Sequence, residues 1–67
     1  MEYTEAYIEG IKDGREFLNT YKPNAADIVG IISNIKDTIK IVSLEEMKDI
    51  LKGELAFWQA QQIINIK

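Results

Sequence analysis

Apolar residues recur every three or four positions along most of the chain, which is the spacing of one face of an α-helix. The first third contains seven of them: Tyr3, Tyr7, Ile8, Ile11, Phe17, Leu18 and Tyr21. Pro23 lacks a backbone donor and disfavours a helical conformation at Lys22, so we predict a first helix over 3–21. Gly10 and Gly14 lie inside this helix, and each costs about 1 kcal/mol relative to alanine.

The second segment has the most regular apolar spacing in the chain. Six residues step alternately by three and four positions: Ala25, Ile28, Ile32, Ile35, Ile39 and Val42. Asn24 is a favourable N-cap, and a carboxylate at Asp27 can reach back to it. We therefore predict a second helix over 25–41, with Val29 and Ile31 widening its apolar face.

The third segment begins with the form of a capping box. The Ser43 hydroxyl is expected to accept a hydrogen bond from the Glu46 amide, and the Glu46 carboxylate one from the Ser43 amide. This pattern predicts a third helix over 44–64, with Gly53 as a weak point in its interior. Three segments of similar length with short connections indicate an all-α fold, a small three-helix bundle. The alternative is a helical hairpin in which the last two segments form one long bent helix.

Length and charge limit the protein to a few classes. The 67 residues predict one helical domain, 1–67. The net charge of −3 argues against direct binding of nucleic acid. No apolar run approaches the ~18 residues of a membrane span, and the first residues lack the basic and apolar regions of a secretory signal. These features predict a protein that does not enter membranes, and the absence of cysteine is compatible with a reducing cytoplasm.

Side chains suited to catalysis are scarce. The chain has no histidine and no cysteine, which removes the commonest general base, the thiol nucleophile and the usual zinc ligands. The sequence also lacks a P-loop or any other glycine cluster that would cradle a phosphate. We therefore expect no enzymatic activity, no metal site and no cofactor.

Acidic residues recur at helical spacing along the first segment: Glu2, Glu5, Glu9, Asp13 and Glu16. Such a face is most often only solvated, but it can also attract a basic protein or bind a hard cation such as Ca²⁺ or Mg²⁺. Nearby tyrosines would add contact area at low entropic cost. We predict a partner-binding face made of Tyr3, Glu5, Tyr7, Glu9 and Asp13, with Trp58 as a second anchor. The alternative is that the two tyrosines pack within the bundle.

The apolar content also predicts self-association. Twelve isoleucines in 67 residues are more than one small bundle can readily bury. The second helix is apolar over much of its circumference, so we expect it to supply a homo-oligomer interface. The predicted interface residues are Ile28, Ile31, Ile32, Ile35, Ile39 and Ile41.

Gly10 and Gly14 stand four positions apart, a small-residue spacing that permits close approach of another helix. The alternative is that they leave a gap for a ligand beside Tyr7 and Arg15. This suggests an alternative function in which four residues hold a small anionic, nucleotide-like ligand between subunits: Tyr7, Arg15, Tyr21 and Lys22. A structural or assembly role is a further alternative.

The stretch from Tyr7 to Arg15 reads Tyr-Ile-Glu-Gly-Ile-Lys-Asp-Gly-Arg, in a chain rich in Ile, Lys and Asn. It resembles short accessory or early proteins of tailed bacteriophages, which often carry Tyr-x-x-Gly-x-x-x-Gly near one end. The resemblance covers under a fifth of the chain. It implies a cytoplasmic protein of an infected bacterium that binds and redirects a host factor. We therefore expect a protein-interaction module, an inhibitor or adaptor of a bacterial host protein.

Overall fold

The computed structural model describes residues 3–64, which form a small all-α three-helix bundle. The helices are α1 (Glu5–Tyr21), α2 (Ala25–Ile41) and α3 (Glu45–Ile64). The predicted fold class is confirmed, and the helix ends differ from the predicted ones by two residues at most. No helix within residues 3–64 is both long and apolar enough to cross a membrane.

The beginning of α1 is fixed by Thr4, which the sequence pattern did not single out. Its hydroxyl accepts a hydrogen bond from the Tyr7 amide at 3.1 Å and donates one to the Asp49 carboxylate of α3 at 3.2 Å. The end of α1 is set by Pro23, as predicted. Lys22 adopts a left-handed conformation (φ 49°, ψ 57°), because the residue before a proline is disfavoured in the right-handed helical region.

The cap of α2 is the predicted one. The Asn24 side chain accepts a hydrogen bond from the Asp27 amide at 2.8 Å, and the Asp27 carboxylate accepts one from the Asn24 amide at 3.2 Å. This reciprocal pair satisfies two of the amides that a helix start leaves without partners. The start of α2 is therefore dictated by the local sequence.

The capping box predicted at Ser43 is wrong. Among residues 3–64, no hydrogen bond joins Ser43 and Glu46; instead the Lys48 amide donates to the Leu44 carbonyl at 3.0 Å. The helix begins at Glu45, so Ser43 lies one position too far from its first turn to cap it. The segment from Val42 to Leu44 is not helical, and Val42 is extended (φ −81°, ψ 135°). The alternative of one long bent helix is therefore wrong as well.

Helix α3 lies between the other two. Thr4 of α1 contacts Asp49 of α3, and Phe17 contacts Trp58 further along, so α1 and α3 run parallel. Short connections make α2 antiparallel to both. No Cα atom of α1 comes within 8 Å of a Cα atom of α2, whereas α3 approaches both helices closely. The bundle is therefore open between α1 and α2.

The buried side chains concentrate where α2 meets α3. Ile28, Ile32 and Ile35 of α2 pack with Trp58 of α3, and half-buried neighbours surround them: Leu18, Ile31, Ile39, Leu51, Leu55 and Phe57. Phe17 meets the Trp58 ring edge-on, with ring centroids 5.9 Å apart. The core is thus built from interlocking side chains on one flank of α3.

The opposite flank of α3 meets α1 backbone to backbone. A methyl group at Gly53 would collide with the Tyr7 carbonyl, and one at Gly10 would collide with the Ile50 carbonyl. Gly14 instead faces a side chain, the Phe57 ring. The close approach predicted from the glycine spacing is confirmed. The alternative of a ligand gap at these glycines is wrong, because α3 fills the space, and Gly53 is a contact point rather than a weak point.

Candidate functional site

An open groove runs between α1 and α2, with α3 as its floor. One cavity in it has a volume of about 280 Å³ and is lined from all three helices by Asp13, Gly14, Phe17, Ile31, Asn34, Ile35, Glu54 and Trp58. Two adjoining depressions share Phe17 with it and extend towards the α1–α2 connection. They add seven lining residues: Glu16, Thr20, Tyr21, Pro23, Ala26, Asp27 and Gly30. We call this whole surface the α1–α2 groove.

Aromatic and aliphatic side chains supply most of the contact surface of the α1–α2 groove. Trp58 forms its floor, and only 3% of this residue is exposed. On the α1 wall, Phe17 is 42% and Tyr21 68% exposed, and their rings lie 4.6 Å apart. Ile31 is half-buried on the α2 wall. Exposed aromatic rings beside a rigid apolar floor are typical of a surface that binds a partner.

The charged residues that line the α1–α2 groove are all acidic: Asp13, Glu16, Asp27 and Glu54. The whole chain carries eleven acidic and eight basic residues, so a surface of this size would ordinarily include both signs. Asp27 is already engaged in the cap of α2. The remaining three give the α1 side of the groove a negative potential that favours cationic ligands.

Asp13 and Glu54 face each other at one end of the α1–α2 groove. Burial raises the pKa of Glu54, and repulsion from the Asp13 carboxylate raises it further. Within residues 3–64, the ion pair that forms is between Lys48 and Glu45, at 3.8 Å, away from these two carboxylates. A cation placed between Asp13 and Glu54 would therefore relieve an existing repulsion.

Only part of the predicted partner-binding face lines the α1–α2 groove. Asp13 does, and Glu9 lies four residues earlier on the same side of α1. Tyr3 and Tyr7 stack on each other near the start of α1, with ring centroids 4.4 Å apart and planes 9° from parallel. Glu5 is exposed in the same region. Glu2, the first residue of the acidic series on the first segment, lies outside the described residues.

Trp58, which we predicted as a second anchor, is almost wholly buried. Its ring is buried in the core, with Phe17 and Phe57 edge-on to it at 5.9 Å and 5.1 Å. Phe57 and Trp58 are neighbours about 100° apart on α3, so one faces α1 while the other faces the core. Trp58 contributes to the α1–α2 groove only as its floor.

The residues predicted to hold a small anionic ligand do not meet within one chain. Tyr7 and Tyr21 stand fourteen positions apart on α1, or about 21 Å along its axis. Arg15 and Lys22 are exposed, and neither lines the α1–α2 groove. Within residues 3–64, no three acidic side chains gather in a group that could hold a metal ion.

The predicted oligomer interface is divided between the core and the surface. Ile28, Ile32 and Ile35 are buried inside the single chain, so their assignment to an interface between chains is wrong. They are covered by α3, which the sequence pattern could not place. Ile31 lines the α1–α2 groove and Ile39 is half-buried, and both pack against the core. Ile41 is 82% exposed, and self-association through it stays a prediction.

Sequence reasoning missed Phe17, Ile31 and Glu54 as groove residues. Phe17 follows Asp13 by four positions and Glu54 precedes Trp58 by four, so each shares a helix face with a residue that was considered. That spacing was the feature of the sequence from which Phe17 and Glu54 could have been identified. The separation of α1 from α2, which exposes these faces, has no local signature.

Comparisons of the chain with protein-family models, with curated proteins and with solved structures find no match. The shape and charge of the α1–α2 groove are therefore the features from which a function can be inferred.

Proposed function

We propose that this protein is a small acidic interaction module that binds a basic segment of another protein in the α1–α2 groove. The observation that supports this proposal is the composition of the groove. Its floor and walls are apolar and aromatic, and its charged lining residues are all acidic. Such a surface combines hydrophobic contact area with electrostatic selection of a basic partner.

The shape of the groove favours a polypeptide segment over a small molecule. Small-molecule sites enclose most of their ligand, whereas this groove is open along its length. On the α1 wall it extends from Asp13 to Tyr21, which is eight positions or about 12 Å. Its acidic lining also disfavours the anionic, nucleotide-like ligand that was the alternative.

We further propose that the module acts as a phage-type inhibitor or adaptor of a bacterial host protein, in the cytoplasm of the infected cell. The support is the resemblance of the Tyr7–Arg15 stretch to short accessory proteins of tailed bacteriophages. A chain without histidine or cysteine is suited to act by occupying a partner's surface rather than by modifying it.

The proposal is tested by affinity capture from bacterial lysate with a matched pair of variants. Ile31→Lys places a cation in the α1–α2 groove, whereas Val29→Lys places one on the opposite flank of α2, beside Lys36. We expect a host protein captured by the wild type to be lost with Ile31→Lys and retained with Val29→Lys. Equal capture by both variants would show that the groove is not the binding site.

Because Ile31 is half-buried, Ile31→Lys can lose binding simply by unfolding, and a third variant controls for this. Glu16→Lys changes an exposed residue at the groove and leaves the core untouched. It should fold like the wild type by circular dichroism and capture less of the same protein, more so at low salt. Undiminished capture by Glu16→Lys, together with unfolding of Ile31→Lys, would count against the proposal.

A further inference from the structure

We infer that the segment bound in the α1–α2 groove is a basic amphipathic α-helix, lying on α3 as a fourth helix. A lysine or arginine of this helix sits between Asp13 and Glu54, and an apolar side chain covers Trp58. This inference rests on the proposed function and specifies the class of partner that the groove accepts.

The walls of the groove favour a helix over an extended strand. An extended segment gains affinity by pairing its backbone with the free edge of a sheet, and residues 3–64 contain no strand. The groove is instead bordered by α1 and α2, which have no pair of Cα atoms within 8 Å of each other. A helix packs into such a cleft in the manner of a helical bundle, with side chains entering gaps of similar spacing.

The spacing of two residues on the floor of the groove predicts how a bound helix would be aligned along it. Glu54 and Trp58 are four positions apart on α3, so they lie one helical turn apart on the same face. A bound helix would therefore place its cation over Glu54 and an apolar residue, three or four positions along, over Trp58. Its next apolar residue, about seven positions from the cation, would reach Tyr21 at the end of the wall.

Electrostatics select a cation at the first of these positions. The two carboxylates come from different helices, Asp13 from α1 and Glu54 from α3, while α2 contributes the uncharged Asn34 and Ile35 to the same cavity. Within residues 3–64, neither carboxylate forms an ion pair. A partner lysine or arginine would add charge-assisted hydrogen bonds to both.

The test uses synthetic peptides and the fluorescence of Trp58, the one tryptophan of the chain. The first peptide has about 18 residues, an apolar leucine stripe at helical spacing and lysines beside it. A second peptide carries glutamate in place of lysine, and a third carries a central proline that prevents a continuous helix. None contains an aromatic residue, so the tryptophan emission reports on the groove alone.

We expect the lysine peptide to change the Trp58 emission saturably, with the glutamate and proline peptides at least about tenfold weaker. The double variant Asp13→Asn, Glu54→Gln should bind the lysine peptide about tenfold more weakly. Val29→Lys should bind it with nearly unchanged affinity. Equal binding of the lysine and glutamate peptides, or of the helical and proline peptides, would overturn the inference.

The two proposals fail in different ways. If Ile31→Lys loses the captured host protein but the lysine peptide does not bind, the groove is a docking site for another kind of segment. In that case only the inference about a basic helix is wrong. If Ile31→Lys and Val29→Lys capture the host protein equally, the proposed function itself is wrong, whatever the peptides do.

Discussion

Helix α3 is held by its two neighbours in different ways. Against α1 it packs backbone to backbone, because Gly10 and Gly53 remove the side chains that would keep the helices apart. Against α2 it packs through side chains, with Trp58 set among Ile28, Ile32 and Ile35. In the first contact the helix backbones meet directly, whereas in the second apolar side chains fill the space between them.

This difference leaves a groove open in a small chain. Gly10 and Gly53 let α1 pack directly on α3, and α1 makes no comparable contact with α2. The apolar residues on the α1 face towards α2, Phe17 and Tyr21, are therefore left exposed at the groove. We therefore expect the α1–α3 contact to be sensitive to an added carbon atom and the α2–α3 contact to a removed one.

The largest effect is expected from adding a methyl group to the α1–α3 contact. Gly53→Ala should lower the free energy of unfolding by about 3 kcal/mol, because the new carbon meets the Tyr7 carbonyl, which cannot move aside. Chemical denaturation followed by circular dichroism measures this loss. The matched control is Gly30→Ala, where no atom beyond the local helix backbone lies within 4 Å of the new carbon and about 1 kcal/mol of helix propensity is gained. A Gly53→Ala protein as stable as the control would refute the rigid contact.

Removing one carbon from the α2–α3 contact should cost less. Ile28→Val deletes a methylene group from the most deeply buried side chain, and we expect a loss of about 1 kcal/mol. The same denaturation experiment applies, with Val29→Ala as an exposed control that should stay within about 0.5 kcal/mol of the wild type. A loss no larger than that of the control would mean that Ile28 is not at the centre of the core.

An intermediate case lies within α1 itself. Gly14→Ala would bring its new carbon to 2.6 Å from the Phe57 ring, but a side chain can turn where a backbone cannot. Because the gain in helix propensity offsets the shift, stability should stay within about 1 kcal/mol of the wild type. The near-ultraviolet circular dichroism of Trp58 should change, since Phe57 lies 5.1 Å from it. A loss as large as that of Gly53→Ala would show that Phe57 is as fixed as the backbone.

The smallest effect concerns charge at the groove. Because burial and then Asp13 raise the pKa of Glu54 in the folded chain, ionising this carboxyl opposes folding. The contribution of Glu54 to the free energy of unfolding is greatest below the ordinary glutamate pKa of about 4.3, where the carboxyl is protonated. It is lost as the pH rises through the raised pKa. Glu54→Gln should therefore be more stable than the wild type at about pH 7 and equal to it near pH 4 or below. Thermal unfolding at both pH values measures the difference, and the opposite trend would contradict the burial of Glu54.

Local chemistry explains which parts of the fold could be predicted from the sequence. Pro23 and the pair of Asn24 and Asp27 act on their own neighbours, so the end of α1 and the start of α2 were predictable. The cap expected at Ser43 failed because the pattern does not specify which residue begins α3. A shift of one residue removed the hydrogen bonds on which the cap depended.

The candidate site was less predictable because it depends on tertiary structure. The acidic spacing on α1 singled out Asp13, which the structure places in the α1–α2 groove, but Glu54 contributes from another helix. Trp58 was predicted as a partner anchor, whereas the structure buries it against isoleucines of α2, a helix that its own segment could not identify as its neighbour. Only the placement of α3 between α1 and α2 brings these residues together.

The most direct test of the glycine contact and the open groove is a nuclear Overhauser spectrum of the free protein. We expect contacts between the α-protons of Gly53 and the backbone of Tyr7, and between the rings of Phe17 and Trp58. We expect no backbone contacts between α1 and α2, whose Cα atoms stay more than 8 Å apart. Backbone contacts between α1 and α2, with none between Gly53 and Tyr7, would contradict both the glycine contact and the open groove.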